Sequence, residues 1–349
     1  MPSKPNSQAK APEEGDEKPN GKNYDGVIGR KIDGWEVVKV LGQGANGVCF
    51  KVKKDNVVGA LKLPFRNVQE MIWESLIYDR LADAKNIERR NGNIVRKYAQ
   101  GTTSFPEEDL ENVAYVVMEL ANSNVWEHLQ GDMKDEDPIS FIGRVTCMMI
   151  RAVYDQHQVG LLNRDIKLEN CGMPEQKGPL LMYDVGMCRR WLDPNGKHRL
   201  PRSSVPFRGT DEWSSLRSEL GFEQGRVDDL YYVLHLYNEL TNICCEIPQA
   251  WSKWGNEDGK SPESVCNEAR YLLKSDFGPG HLVLDNCHVA AHRVRLYLRT
   301  LGTTDDPDYF HIAMLFNETR ANMKKKIKSS PIKMSDFMEE CYLMEHYYF

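Results

Sequence analysis

Apolar and polar residues alternate with a two-residue period in the early part of the chain, most clearly in Val48-Cys49-Phe50-Lys51-Val52-Lys53-Lys54. Such alternation predicts a strand with one face turned inward. Val57-Val58-Gly59-Ala60-Leu61-Lys62-Leu63 reads as the next strand, and the apolar run Val113-Ala114-Tyr115-Val116-Val117 as a later one. Between them the period changes. In Met71–Leu81 the apolar positions Ile72, Leu76 or Ile77, and Leu81 fall at helical spacing. After Glu119 helical patterns dominate: Phe141–Gln158 is apolar on one face, while Asp228–Leu240 and Val289–Leu301 have the content of buried helices. Near the end, Phe337, Cys341, Met344 and Tyr348 recur on one helical face, which predicts a segment that packs back on the chain or on a partner. Residues 1–28 are rich in Pro, Lys, Glu, Asn and Gly without periodicity, the pattern of a disordered tail. No repeat and no coiled-coil heptad is evident.

The expected class is therefore α+β, with a small β-rich region over about 29–119, a larger helical one over about 120–325, and a tail over 326–349. Hydrophobic content of 41% and charged content of 28% in 349 residues are those of a globular protein with ample material for a core. A net charge of −6 argues against nucleic acid as the main partner. The nine cysteines show no metal-ligand spacing; Cys244-Cys245 is a vicinal pair and the rest are scattered. With no signal peptide and no long apolar span, the expectation is a protein with reduced thiols in the cytoplasm, away from membranes, and separately a monomer is expected. Lys324-Lys325-Lys326-Ile327-Lys328 admits the nucleus as well, although short basic runs are usually solvated helix ends.

The candidate chemistry begins at Gly42-Gln43-Gly44-Ala45-Asn46-Gly47-Val48, a G-x-G-x-x-G loop. Dinucleotide-binding folds use the same letters, but there the loop leads into a helix. Here it leads into the alternating strand at Val48, so it joins two strands and can lie over phosphates with its glycines allowing close backbone approach. Lys62, amid apolar neighbours, is costly unless a phosphate or carboxylate meets it. Glu74 is the favoured partner on the following helix, with Glu70, one turn earlier, as its rival.

Farther on stands Asn163-Arg164-Asp165-Ile166-Lys167-Leu168-Glu169-Asn170, and then, after a short apolar strand, Asp184-Val185-Gly186. Phosphoryl transfer asks for positioning and charge neutralisation more than covalent chemistry. In that chemistry Asp165 would orient an acceptor hydroxyl and Lys167 would hold the transferring phosphate. Asn170 and Asp184 would supply the hard oxygen ligands that Mg2+ prefers.

Taken together these motifs resemble the eukaryotic protein kinases, and within them the casein kinase I group with its tau-tubulin kinase branch. Support for the group comes from Phe207-Arg208-Gly209-Thr210 leading to Ser214-Ser215-Leu216, from Glu223-Gln224-Gly225-Arg226-Val227-Asp228-Asp229-Leu230, and from Pro307-Asp308-Tyr309. The resemblance covers roughly residues 30–325 and implies the bilobal kinase fold, ATP and Mg2+ as cofactors, and protein substrates. It implies that Ala60, Met118, Glu119 and Leu120 line the adenine site together with the glycine loop. Lys167 with Thr210 is similar to the serine/threonine-specific pattern, and Asp229 resembles the Asp that braces the catalytic loop.

Three positions depart from that pattern. Asn163 stands where kinases carry His, and Val185 where they carry Phe, so the stack behind Asp184 loses aromatic bulk twice; neighbouring side chains are expected to compensate. These two positions motivate the alternative of a nucleotide-binding pseudokinase scaffold. Glu212 stands where casein kinase I enzymes carry an Arg that helps bind a phosphate already on the substrate, and a carboxylate there repels an anion. The basic, hydroxyl-bearing segment from Arg189 to Ser204 lies in the place of an activation loop; it reads either as a dock for acidic substrate or autophosphorylation at Ser203 or Ser204, or as a solvated loop.

Overall fold

The computed structural model describes residues 25–44, 47–64, 68–82, 93–105, 110–131, 137–173, 178–244 and 286–317. The expectations for the disordered tail over 1–24, for the basic run at 324–328, for the apolar helical face at 337–348, and for Ala45, Asn46 and Cys245 lie outside the described residues. Asp25–Val27, within the expected tail, form a 3-10 turn whose Val27 is buried.

The chain divides into two compact units, residues 1–72 with 98–120, and residues 73–97 with 121–349. The first is built on a six-stranded sheet. Its strands are β1 (Lys31–Ile32), β2 (Trp35–Gly44), β3 (Gly47–Lys54), β4 (Val57–Pro64), β5 (Lys97–Phe105) and β6 (Leu110–Glu119), in the order β1-β2-β3-β4-β6-β5. The alternation in β3 is realised directly: Val48, Phe50 and Val52 are buried, with Leu61 and Leu63 of β4 and Val113, Tyr115 and Val117 of β6 in the same core. Each such side chain contributes roughly 1.5–3 kcal/mol by leaving water. Antiparallel pairing sets Ala60 opposite Met118 and Lys62 opposite Val116.

Helix α1 (Val68–Ala82) belongs by its first residues to the first unit and from Trp73 onward to the second. The helix expected over Met71–Leu81 is there, and of its expected apolar face Ile77 is buried, but the rest of that face is turned differently. Ile72 and Leu76 are exposed at 43% and 50%, whereas Met71, Glu74, Ser75, Ile77 and Tyr78 are buried. The inward face of α1 thus carries a carboxylate and a phenol among its apolar side chains.

The second unit is helical. It holds β7 (Ser123–Asn124), α2 (Val125–Gly131), α3 (Pro138–Gln158), β8 (Leu161–Leu162), β9 (Cys171–Met173), β10 (Leu181–Met182), β11 (Arg189–Arg190), α4 (Leu216–Glu219), α5 (Arg226–Cys244) and α6 (Asn286–Leu298). A last described helix spans 309–317. Helix α3 starts with Asp137 accepting from the Ser140 amide at 3.1 Å and with proline in its first turn, a capped start that suits the fixed φ of proline. Its buried face, from Phe141 through Val145, Met148 and Met149 to Val153, packs on α5, and α5 packs on α6. Among the described residues no helix is long and apolar enough to cross a membrane.

Two small antiparallel ladders fix what lies between them. β8 pairs with β11 and β9 pairs with β10. The chain from Asn163 to Asn170 therefore crosses from one ladder to the other, and Asp184 lies on the return between β10 and β11. These short pairings bring the two candidate motifs side by side.

Candidate active site

In the first unit the glycine hairpin is formed as expected, with β2 and β3 paired up to Gly44 opposite Gly47. A Cβ on Gly47 would stand 2.2 Å from the Leu63 carbonyl oxygen, so only glycine fits there. Gly42 meets nothing within 4 Å and has no left-handed φ, so neither packing nor backbone conformation demands a glycine. Gln43 lies on β2, Val48 and Lys62 on β3 and β4, and Met118, buried, on β6 next to Glu119 and Leu120. Lys62 belongs to the first unit and Glu74 to the second. Of the two acidic candidates on α1, Glu74 is buried and Glu70 is exposed.

In the second unit Asp165, Lys167 and Thr210 form one cluster. The Thr210 hydroxyl donates to Asp165 Oδ1 at 2.7 Å, and Lys167 Nζ stands 3.2 Å from Asp165 Oδ2 and 3.5 Å from Thr210 Oγ1. Thr210 can come this close because Gly209 precedes it. Gly209 has φ +111°, and a Cβ there would strike Arg164 O and Tyr232 Oη at 2.2 Å each. Asn170 closes the loop with Nδ2 donating to the Asp165 carbonyl at 3.1 Å, which turns its Oδ1 away from that contact. Asp184 sits at φ +57°, an uncommon conformation that costs about 1–2 kcal/mol for an L-residue and is typical of functional turns. Glu74 and Tyr78 are its neighbours: Tyr78 donates to Glu74 Oε1 at 3.4 Å, and burial, then the charges of Glu74 and Asp184, push the phenol well above its ordinary pKa. Among the described residues no three His, Cys, Asp or Glu side chains gather closely enough to cage a metal. A cation held by Asn170 and Asp184 would need its remaining ligands from water or phosphate, an arrangement that Mg2+ tolerates.

A buried chain of hydrogen bonds holds the loop from beneath. Asp229, fully buried, accepts from the Asn163 amide at 2.7 Å and from the Arg164 amide at 2.8 Å. His157 Nε2 lies 2.8 Å from the same carboxylate, and its Nδ1 lies 2.6 Å from Tyr309 Oη. Burial lowers the His157 pKa despite the opposing pull of Asp229, so the ring is neutral at pH 7. Neutral His157 then donates from Nε2 to Asp229 and accepts the Tyr309 hydroxyl at Nδ1. The tyrosine of the Pro307-Asp308-Tyr309 motif thereby anchors the histidine that anchors the loop brace. Arg164 needs that anchorage, since its φ is +71°.

Asn163 departs from expectation in kind. The aromatic bulk missing there is not replaced by apolar volume. The amide instead accepts from the Asp165 N–H at 3.0 Å and donates to Gln156 Oε1 at 3.0 Å. Val185 is fully buried. The segment after it meets Glu223, which lies between α4 and α5: burial pushes the Glu223 carboxyl up, but the Arg202 hydrogen bond and the charges of Arg189 and Arg202 prevail and hold it below its ordinary value. Arg202 Nε stands 2.5 Å and Arg189 Nε 3.3 Å from Glu223, so two of the segment's arginines already meet a carboxylate, while Ser203, Ser204 and Glu212 are exposed.

Two residues with structural claims on the site, Gln156 and His157, were not singled out from sequence, and Tyr309 and Glu223 were noted only as parts of family motifs, without the contacts they make here. Gln156 and His157 carried a readable signal, two adjacent polar residues closing an otherwise apolar helix face just before the loop.

The cluster is of the kind that supports a kinase enzyme, and comparison with known proteins narrows the type. A probable serine/threonine-protein kinase of Dictyostelium discoideum is 24% identical over 287 residues, 81% of this chain and 53% of its own length. A putative casein kinase I of Caenorhabditis elegans is 27% identical over 224 residues, 61% of each chain. A casein kinase I homolog of Kluyveromyces lactis is 26% identical over 284 residues, 79% of this chain and 48% of its own. No family model matches the chain. The similarity supports a protein kinase of the casein kinase I type, and the chain spans about half to three-fifths of the length of these relatives.

Proposed function

We propose that the protein is a serine/threonine kinase that transfers the γ-phosphate of ATP to Ser or Thr hydroxyls of protein substrates. The observation that carries this reading is the cluster of Asp165, Thr210 and Lys167, in which a hydroxyl and a cation bracket one carboxylate. Thr210 holds Oδ1, while Oδ2 faces Lys167 at 3.2 Å and Asn170 Nδ2 at 3.4 Å; an acceptor hydroxyl would be oriented at this carboxylate with Lys167 beside it for the transferring phosphate. Because the transition state is loose, placement matters more than basicity. Gly42, whose glycine neither packing nor conformation explains, suits a backbone that a phosphate approaches.

Mg2+, when bound, would supply positive charge against the negative charge of the phosphates. Asn170, with its amide nitrogen committed to the Asp165 carbonyl, offers Oδ1, and Asp184 offers its carboxylate. The glycine hairpin, Ala60, Lys62 and Met118–Leu120 are assigned to ATP, and Glu74 keeps the supporting role that the resemblance gives it. The bilobal arrangement, a monomeric state and a cytoplasmic location belong to the same proposal. The bonds of Asn163 favour a working enzyme over a scaffold, since they fix the main chain of Asp165 itself.

The test is transfer of labelled phosphate from ATP with magnesium to casein, with wild type beside Asp165→Asn and Lys62→Met. Label on Ser or Thr, lost in both variants, is expected. ATP-dependent thermal stabilisation without transfer would overturn this reading in favour of the scaffold. The same assay with one peptide, phosphorylated and unphosphorylated, checks Glu212: no marked gain from the primed form is expected.

A further inference from the structure

Gln156 occupies the last turn of α3 and is fully buried. Its carboxamide touches three segments that the chain separates. Oε1 accepts from Asn163 Nδ2 at 3.0 Å, and Asn163 Oδ1 in turn accepts the Asp165 amide at 3.0 Å. Nε2 points to Met182 Sδ at 3.1 Å, on the strand that delivers Asp184. The Cys188 thiol lies 3.6 Å from Oε1, four residues beyond Asp184. Asn163 Nδ2 also faces Met182 Sδ at 3.5 Å. Gln156, Asn163, Met182 and Cys188 are each at most 3% exposed, so water cannot replace these partners.

The orientation of both amides is forced. Turning Asn163 over would set its NH2 against the Asp165 N–H, donor against donor, and turning Gln156 over would do the same at Asn163. Two amides in series thus convey the position of α3 to the main chain of Asp165, while the same glutamine grips both flanks of Asp184. We infer that Gln156 is a positioning residue that sets the catalytic loop against the Asp184 segment, in place of an apolar stack. The inference rests on the proposed kinase reading for its catalytic consequence, but its structural content stands without it. Gln156 touches neither substrate nor metal; it acts through Asn163, Met182 and Cys188. The energetic case is the asymmetry of buried amides: in a site closed to water, removing one partner strands the other, which costs more than the net worth of the bond.

The test compares wild type with Gln156→Met, which keeps volume but no hydrogen bonds, and Met182→Leu, a milder change that takes the shared sulfur from both amides. Amide hydrogen exchange is the first readout. In Gln156→Met, exchange in 163–170 and 182–188 should rise together by about tenfold, the equivalent of one stranded hydrogen bond, while α5 keeps its wild-type protection. Met182→Leu should move the same two segments by a smaller factor. The second readout is transfer kinetics: kcat should fall about tenfold in Gln156→Met with KM for ATP within about twofold of wild type, the pattern of misplaced chemistry.

Unchanged exchange in either segment would overturn the inference. So would a uniform rise across the helical unit, or a loss expressed in KM alone. If Gln156→Met does not fold, Met182→Leu decides by the same exchange criterion. If wild type transfers no phosphate, the proposed function fails, and the exchange result still decides the role of Gln156.

Discussion

Replacing Asp229 with Asn keeps the size of a fully buried side chain and removes one oxygen and one charge. Oδ2 accepts two bonds, from the Asn163 amide and from His157 Nε2, whereas Oδ1 accepts one, from the Arg164 amide. The variant amide will therefore turn its oxygen to the double contact and its NH2 to Arg164. There it opposes an N–H, and the bond that restrains a left-handed residue is gone. A charge-assisted hydrogen bond of this type is worth about 1.5–3 kcal/mol, and the two remaining bonds drop to neutral strength, roughly half of what they were. The expected loss is about 2–4 kcal/mol, from a total of about 5–15 kcal/mol for an ordinary domain. In urea, with a slope of about 1–3 kcal/mol per molar, the midpoint should fall by about 1–2 M.

His157→Gln leaves both amide bonds to Asp229 in place, so its midpoint should fall by less than half as much. Tryptophan fluorescence during urea unfolding reads both. In the transfer assay Asp229→Asn should lower kcat by about a hundredfold, because the main chain that carries Asp165 is no longer pinned and displacements of about 1 Å have that effect. A midpoint that falls by less than about 0.5 M, or a larger effect from His157→Gln than from Asp229→Asn, would refute the claim that Asp229 is the brace.

Thr210→Val should lower kcat about tenfold, as expected for one hydrogen bond to a carboxylate, and Thr210→Ser should keep the rate near wild type; a change confined to KM would count against the cluster. The pH dependence of stability should carry a signature from Asp155. Burial raises its pKa to about 7, against the opposing charge and hydrogen bond of Arg151. A raised carboxyl contributes stability that is present below its unfolded value near 4 and lost as pH rises through about 7. The urea midpoint of wild type relative to Asp155→Asn should therefore decline across that window, and a constant difference would show that Arg151 keeps the carboxylate ionised throughout.

What could be read from sequence was what is encoded within a few residues. Asp165, Lys167 and Asn170 reach one place because they share a loop eight residues long, and Lys62 sits on a strand because its neighbours alternate. The same logic was only partly right on α1. Of the apolar positions Ile72, Leu76 or Ile77, and Leu81, Ile77 is buried while Ile72 and Leu76 are exposed, and Glu74 and Tyr78 turn inward near Asp184. A periodicity argument weighs only water avoidance and cannot see a polar group that is wanted inside.

Asn163 shows the other limit. From sequence alone it is a histidine lost and a cavity to be filled; in the folded chain it is one of two amides whose partners come from α3, β10 and the segment before β11. Asp229 is 66 residues from Asn163, and Tyr309 is 152 residues from His157. No local pattern reports such pairings, and they are what hold Asp165 in place. If the two-amide link does the work of the missing stack, restoring Asn163→His alone should not improve the enzyme. The imidazole would enter beside Gln156 and Met182, whose polar contacts were arranged for an amide, and the Asp165 N–H would lose its acceptor. The substitution that looks corrective by comparison with other kinases is therefore expected to be damaging here.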